Sequence, residues 1–290
     1  MTFKTALCVT EMEHSDQDVR TAADLCAEVG ARLSVLIIKF TGRRPFGAGP
    51  ALWPERIQAA FRLETQLSEI QTFSREIDRL VKRSREIHTL LEAMGIPSDV
   101  YTDYCDQACV GDAVRQRALC ADLVVIGPSL LNDDDLGPAA INGCLFESGK
   151  PVLVVPRGAK ASLRPQRILV GWDTRVETSR AIRGALHLLS GADQVRVTLV
   201  DPEAIGNGNG PGPGIDIVAY LARHGIRVVV DRLPSVAQSV TTILVQHAID
   251  TAADMVVMGA WSRPRLRERI FGGVIGWMIE KPRLPLFAAA

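Results

Sequence analysis

Residues 253–259 read ADMVVMG, and residues 121–127 read ADLVVIG; the two agree at five of seven positions. Each is a short apolar run bounded by an aspartate and a glycine, the pattern of a strand buried on both faces in a parallel sheet. Paired landmarks lie on either side. Gly30-Ala31 before RLSVLIIK answers Gly191-Ala192 before QVRVTLVD, and Gly95-Ile96 answers Gly225-Ile226. KPVLVVP at 150–156 answers LPLFAAA at 284–290. Landmarks that recur in one order mark a tandem duplication. The Pro/Gly/basic stretch PRGAKASLRP, residues 156–165, reads as the linker, which sets one domain at 1–158 and a second at 165–290.

Between the landmarks, strands and helices alternate. The first half predicts strands near 5–10, 33–39, 99–104, 123–126 and 152–155. Its helices are predicted from Ser15 or Asp16 to Val29, over 55–94, over 111–120 and over 139–147. The second half predicts strands near 167–172, 195–200, 226–230, 255–258 and 285–289. Its helices fall near 178–189, 215–224, 238–252 and 273–280. Alternation of this kind calls for an α/β fold with a doubly wound, five-stranded parallel sheet in each half. The halves differ in one place: Gly30 and Gly95 are 65 residues apart, whereas Gly191 and Gly225 are 34 apart. The surplus is helix, with Leu63, Leu67, Ile70, Phe73, Ile77, Leu80, Ile87 and Leu91 at three- and four-residue steps. About 38 helical residues would span roughly 57 Å, longer than one such domain. The helix must break near 72–74 or reach over a neighbouring domain or subunit, and the second is expected.

Composition narrows the function. Lys+Arg and Asp+Glu both number 33 in 290 residues, so nothing points to nucleic acid or a membrane surface. No apolar run approaches the roughly 18 residues of a membrane span, and the first apolar stretch is too short for a signal peptide, so a cytosolic protein is expected. All six cysteines lie in the first half; they read as small buried apolar residues, since Cys105-x3-Cys109 is not a usual zinc spacing. No HExxH, GxSxG or Walker signature is present, and His187, His224 and His247 read as surface or packed histidines. No catalytic residue is assigned.

Beyond Met258 the chain runs through Gly259, a basic loop with Arg263, Arg265, Arg267 and Arg269, and then Gly272-Gly273 at the start of a helical segment. Strand, glycine, cationic loop, glycine pair and helix can form an anion cradle, because backbone amides at a helix start face a phosphate and glycine permits close approach. The same residues also read as a surface loop with solvated arginines. GNGNGPGPG at 206–214 lacks the Lys-Ser/Thr end of a Walker loop and reads as a flap.

Two five-stranded units with these endings resemble a tandem universal stress protein, over essentially the whole chain. The resemblance implies an adenine-nucleotide α-hydrolase-like fold and a stress-response role. Members that hold ATP or another adenine nucleotide carry G-x2-G-x9-G-[ST] after the fourth strand and an aspartate at the end of the first. Here the second half offers Gly259, Ser262, Gly272 and Gly273: the spacing is kept while two residue types change. Trp172-Asp173 supplies the acid for a ribose hydroxyl or adenine edge, Val200-Asp201 lies where adenine would rest, and Met258, Arg263 and Val274 complete the set. A glycine-like φ at Ser262 would cost about 1 kcal/mol. Loss of the hydroxyl at Gly273 removes a phosphate hydrogen bond of about 1.5–3 kcal/mol. Magnesium would accompany ATP. In the first half, Pro128 removes an amide, Asp133, Asp134 and Asp135 would repel phosphates, and Glu11 stands where the aspartate belongs, so that site is expected to be lost. A metal bound by the three aspartates is the other reading of them. The resemblance further implies that the two last strands pair antiparallel, and that the chain forms a homodimer with the long helix as a candidate contact. Three function classes stand beside one another: an ATP-binding stress protein, a module of the same fold acting through oligomerisation with both pockets empty, and an enzyme of the wider fold class. The last lacks a phosphate loop after the first strand.

Overall fold

The computed structural model describes residues 3–40, 55–201, 214–236, 238–260 and 284–290, with the backbone alone for 55–70. The first half contains β1 (Thr5–Glu11), α1 (Gln17–Val29), β2 (Arg32–Phe40), α2 (Glu55–Ala93) and β3 (Ser98–Cys105). It continues with α3 (Val110–Ala118), β4 (Leu123–Ile126), α4 (Pro128–Leu131), α5 (Leu136–Ile141), a π-helical turn (Asn142–Glu147) and β5 (Val152–Val154). The second half has β6 (Arg167–Gly171), α6 (Val176–Gly191), β7 (Gln194–Val200), α7 (Ile215–Arg223) and β8 (Val228–Leu233). It closes with α8 (Val240–Asp250), β9 (Met255–Gly259) and β10 (Leu286–Ala289).

All ten strands join one sheet, in the order β3-β2-β1-β4-β5-β10-β9-β6-β7-β8. Outward from the centre both halves have the same strand order, and every pairing is parallel except the central one. There β10 runs antiparallel to β5, with Phe287 opposite Leu153. Each last strand therefore covers the edge that the other would expose, the hazard an unpaired strand carries. The registers fix which residues correspond. Ala6 pairs with Leu33 and Leu123, and Ile168 pairs with Val195 and Met255. Counting along the strands from those rows, Glu11 matches Asp173, Ile38 matches Val200, and Gly127 matches Gly259.

Two apolar layers sandwich the sheet. One buries α1, α2, α6 and α7 around Val19, Ile87, Ile182 and Leu221. The other buries α3, α5 and α8 around Val114, Ala140 and Leu244. Helix α1 ends as its sequence requires: Gly30 takes φ 66°, the left-handed conformation that suits glycine at a helix end. The same device at Gly225, φ 74°, ties the Ile226 amide to the Leu221 carbonyl at 3.0 Å. That bond keeps Ile226 in the cap, which is why β8 starts at Val228 and not at 226.

Three local expectations are corrected. The helix expected over 139–147 begins at Leu136 and widens into a π turn from Asn142. The cause is a close backbone approach: a Cβ on Gly143 would lie 2.3 Å from the Gly111 carbonyl oxygen of α3. Helix α4, with Pro128 in its first turn, was not anticipated. Of the six cysteines, Cys8, Cys26 and Cys144 are buried, but Cys109 and Cys120 are exposed. Burial pushes the Cys26 and Cys144 thiols up to about 12.

Helix α2 runs unbroken through 39 residues, about 58 Å at 1.5 Å per residue. Leu80, Ile87 and Leu91 are buried, and the helix packs on β2 and β3 of its own sheet. Phe73, 45% exposed, meets Tyr104 edge-on at 5.0 Å. The side chains of 55–70, on which the expected reach over a neighbour depends, lie outside the described residues. So do most of the 206–214 flap and the helix near 273–280. Among the described residues no helix is long and apolar enough to cross a membrane.

Candidate functional site

In an open parallel sheet, ligands enter beyond the carboxyl ends of the strands, where successive connections leave for opposite faces. This chain has two such places, between β1 and β4 and between β6 and β9. The two are built from matching strands and filled differently.

In the second half, Gly171 ends β6 with Trp172 and Asp173 just beyond it, Val200 ends β7, and Met258 and Gly259 end β9. Val200 and Met258 are buried and Trp172 is half-buried against the core. The Trp172 amide donates to the Thr198 carbonyl at 2.9 Å, which carries the strand pairing up to the site. The next connection is tight: Thr174 has φ 63°, a strained value for a β-branched residue. Asp173 holds this turn. Its Oδ1 accepts from the Arg175 amide at 3.1 Å and from Thr178 Oγ1 at 2.5 Å. Its Oδ2 lies 3.6 Å from Arg175 Nε, and the side chain is half exposed. Thr178, buried in the first turn of α6, packs directly on Gly259. A Cβ there would lie 2.5 Å from the Thr178 nitrogen and 2.7 Å from its hydroxyl. The expected residues Trp172, Asp173, Val200, Met258 and Gly259 thus gather at three neighbouring strand ends. Ser262, Arg263, Gly272, Gly273 and Val274 lie outside the described residues.

Asp201, one residue past Val200, also has a positive φ, 48°. Its Oδ1 accepts from the Ser235 amide at 2.8 Å. Hydrogen bonds from the Ser235 hydroxyl and amide hold its carboxyl below the usual carboxylate range.

In the first half the corresponding place is filled by the protein itself. Gly127 again faces the first turn of the helix after the first strand, but that turn presents Asp18: a Cβ on Gly127 would lie 2.4 Å from the Asp18 carboxyl carbon. The fully buried carboxylate accepts from the Ser129 amide at 3.0 Å and the Leu130 amide at 2.9 Å. Among the described residues no cation pairs with it. Beside it, His14 Nε2 lies 2.9 Å from Asp133 Oδ2. His14 Nδ1 accepts from the Glu11 amide at 3.3 Å, which places the ring proton on Nε2, facing Asp133. Asp133 Oδ1 meanwhile caps α5 through the Asp135 and Leu136 amides at 3.0 and 2.8 Å. Glu11, matching Asp173, is buried 3.4 Å from Lys39 Nζ.

The expectation for this half rested on Pro128 and the three aspartates, and the geometry adds a stronger reason. Pro128 does remove one amide, but the next two are present and already carry a negative charge. A phosphate about 4 Å from that carboxylate would meet repulsion on the order of 4 kcal/mol at an effective dielectric near 20. Asp18, His14 and Thr178 were missed by sequence reasoning. An acidic residue in the first turn of a helix is ordinary there, and the partners of Asp18 lie 111 and 112 residues away.

The expected non-catalytic histidines are engaged elsewhere. His247 Nε2, on α8, lies 2.8 Å from Asp231 Oδ2 of β8, and Arg196 approaches the same oxygen at 3.0 Å. His224 stacks edge-on with Tyr220 at 4.8 Å.

No family profile and no curated protein matches the chain. Solved structures do. A universal stress protein from Archaeoglobus fulgidus aligns over 98% of this chain and 97% of its own, with 16% identity and a TM-score of 0.63. A putative universal stress protein from Pseudomonas aeruginosa UCBPP-PA14 aligns over 99% and 93%, with 14% identity and a TM-score of 0.52. A protein of unknown function from Pseudomonas aeruginosa PAO1 aligns over 99% and 92%, with 13% identity and the same TM-score, 0.52. At identities this low the likeness establishes the fold alone, and that fold is the one seen in universal stress proteins.

Proposed function

We propose that the chain is a cytosolic stress-response protein of two universal-stress-type domains, 1–158 and 165–290, whose second domain binds an adenine nucleotide, ATP first among them. The observation that carries this reading is the contrast at the paired glycines. Gly259 faces a neutral threonine whose hydroxyl is turned to Asp173, whereas Gly127 faces a carboxylate. Among the described residues, the group turned directly to the inner-strand glycine is a neutral hydroxyl in the second half and a carboxylate in the first.

In this reading Asp173 receives a ribose hydroxyl. Val200 and Met258 supply the apolar bed for adenine, Trp172 lies beside Asp173 against the other layer, and Gly259, Ser262, Arg263, Gly272, Gly273 and Val274 hold the phosphates. Magnesium accompanies ATP as its usual counter-ion. The protein binds and signals; no dedicated catalysis is assigned, and slow hydrolysis is the most the site supports. A homodimer is expected, without nucleic acid or membrane, and with a downstream protein partner still to be identified.

The sealed first half favours one second reading, a module of the same fold that acts through oligomerisation alone. Calorimetry with ATP and magnesium separates the two. Saturable heat with one site per chain, abolished by Gly272→Val, supports nucleotide binding. No heat at about millimolar ATP, a Kd weaker than roughly −4 kcal/mol of binding, leaves the interaction module.

A further inference from the structure

The first half's crevice is closed by two side-chain bridges that nothing in its strand pattern requires. One runs from Asp18, in α1, to the amides of Ser129 and Leu130 beyond β4. The other runs from His14, in the β1–α1 connection, to Asp133 in the α4–α5 connection. Both join the segment after β1 to the segment after β4, across the place where the sheet's connections diverge. The acceptor groups are well used. Both Asp18 oxygens take a backbone amide, both His14 nitrogens are engaged, and both Asp133 oxygens have partners.

A buried carboxylate with no cation is costly unless its lone pairs are satisfied. Asp18 therefore stays only while the two connections remain together, and the two connections are held together by Asp18. In the second half the residue that faces the inner-strand glycine, Thr178, donates instead to Asp173 inside a single connection, five residues away.

We propose that Asp18, with the His14–Asp133 bridge beside it, is an internal tether that holds the first half's crevice shut without any ligand. The tether does not rest on the nucleotide reading above. Arg83 reinforces it from α2, donating to the His14 carbonyl at 2.8 Å and pairing with Asp16 at 2.9 Å. The long helix thereby braces the closed side.

Amide hydrogen exchange on the full-length protein tests this directly. In the wild type without nucleotide, Ser129 and Leu130 are expected to exchange as slowly as neighbouring strand amides, and Mg·ATP should leave their rates unchanged. Asp18→Ala should speed both by at least about tenfold, because each amide loses a charged acceptor, while the β4 amides hold their rates. Asp18→Asn, which keeps one oxygen and folds more readily, should speed them by a smaller factor, and His14→Ala should loosen Asp135 and Leu136. Fast exchange of Ser129 and Leu130 in the wild type overturns the tether. So does slowing of those amides by Mg·ATP, or exchange in both Asp18 variants equal to wild type. These rates are read without nucleotide, so a chain that binds no ATP would defeat the functional proposal and leave the tether standing.

Discussion

The two halves share strand order and register, yet differ in what the first helical turn offers to the glycine at the end of the inner strand. In the first half it offers Asp18, which reaches across to another connection. In the second it offers Thr178, which turns back to its own. On matching strands, one side chain thus decides whether the glycine faces a carboxylate that bridges two connections or a hydroxyl held within one.

The comparison breaks most visibly at the glycines. A methyl group at position 259 would meet the Thr178 nitrogen at 2.5 Å and the Glu177 carbonyl carbon at 2.8 Å, both backbone atoms that cannot swing away. Gly259→Ala should therefore cost about 3 kcal/mol, the upper part of the usual overpacking range. Urea unfolding checks this. A loss below about 1 kcal/mol would mean that the α6 turn is softer than its close contact implies.

Asp18→Ala and Thr178→Val sharpen the contrast. Removing the carboxylate strands two amides in a buried turn and should cost about 2–3 kcal/mol. Replacing the threonine hydroxyl by a methyl group of similar volume removes one hydrogen bond to a half-exposed partner and should cost about 1 kcal/mol. Equal losses in the two variants, read from urea midpoints at constant slope, would erase the asymmetry.

The outer strands carry a second difference, and it is one of pH. By register Asp231 of β8 matches Tyr101 of β3, where Arg117 lies over the ring at 3.8 Å. Burial raises the Asp231 carboxyl, but hydrogen bonds and charge from His247 and Arg196 outweigh it, and the net shift is downward. A carboxyl depressed on folding adds stability that is present above its unfolded value and is lost as pH falls through the folded one. The second half should accordingly weaken below the ordinary carboxylate range. Asp231→Asn should flatten that acid limb, measured as urea midpoints against pH; an unchanged limb would refute the assignment.

How far the sequence carried the reading follows from the range of each interaction. The strands were legible because ADLVVIG and ADMVVMG repeat, and period and end signals are local; the antiparallel centre was expected only through the family resemblance. Gly259 could be put at a strand end, and Asp173 just beyond one, because β9 and β6 are recognisable in the sequence. Asp18 was not legible, because its partners are 111 and 112 residues distant and its local setting is unremarked in any helix. The π turn was hidden for a similar reason: it depends on Gly143 meeting the backbone at Gly111 across the α3 packing. Cys105 shows the same limit, since its thiol, pushed up to about 11 chiefly by burial, owes that to packing no spacing rule reveals.

The smallest effect concerns how the halves are joined. Glu28, near the end of α1, accepts from the Ser162 hydroxyl at 2.9 Å and the Leu163 amide at 2.6 Å, so the connecting segment is pinned to the first half. Leu163 is buried in the shared apolar layer. Residue 189, the corresponding position counted from the Gly30 and Gly191 helix ends, is a leucine, with no segment to hold. Glu28→Ala should cost only about 1 kcal/mol, because a partly exposed carboxylate leaves partners that water can satisfy. Its signature should be local: faster cleavage of 157–165 by a protease at unchanged global unfolding cooperativity. If cleavage stayed at the wild-type rate, burial of Leu163 alone would be holding the segment, and the first half's extra carboxylate would contribute nothing to the joint.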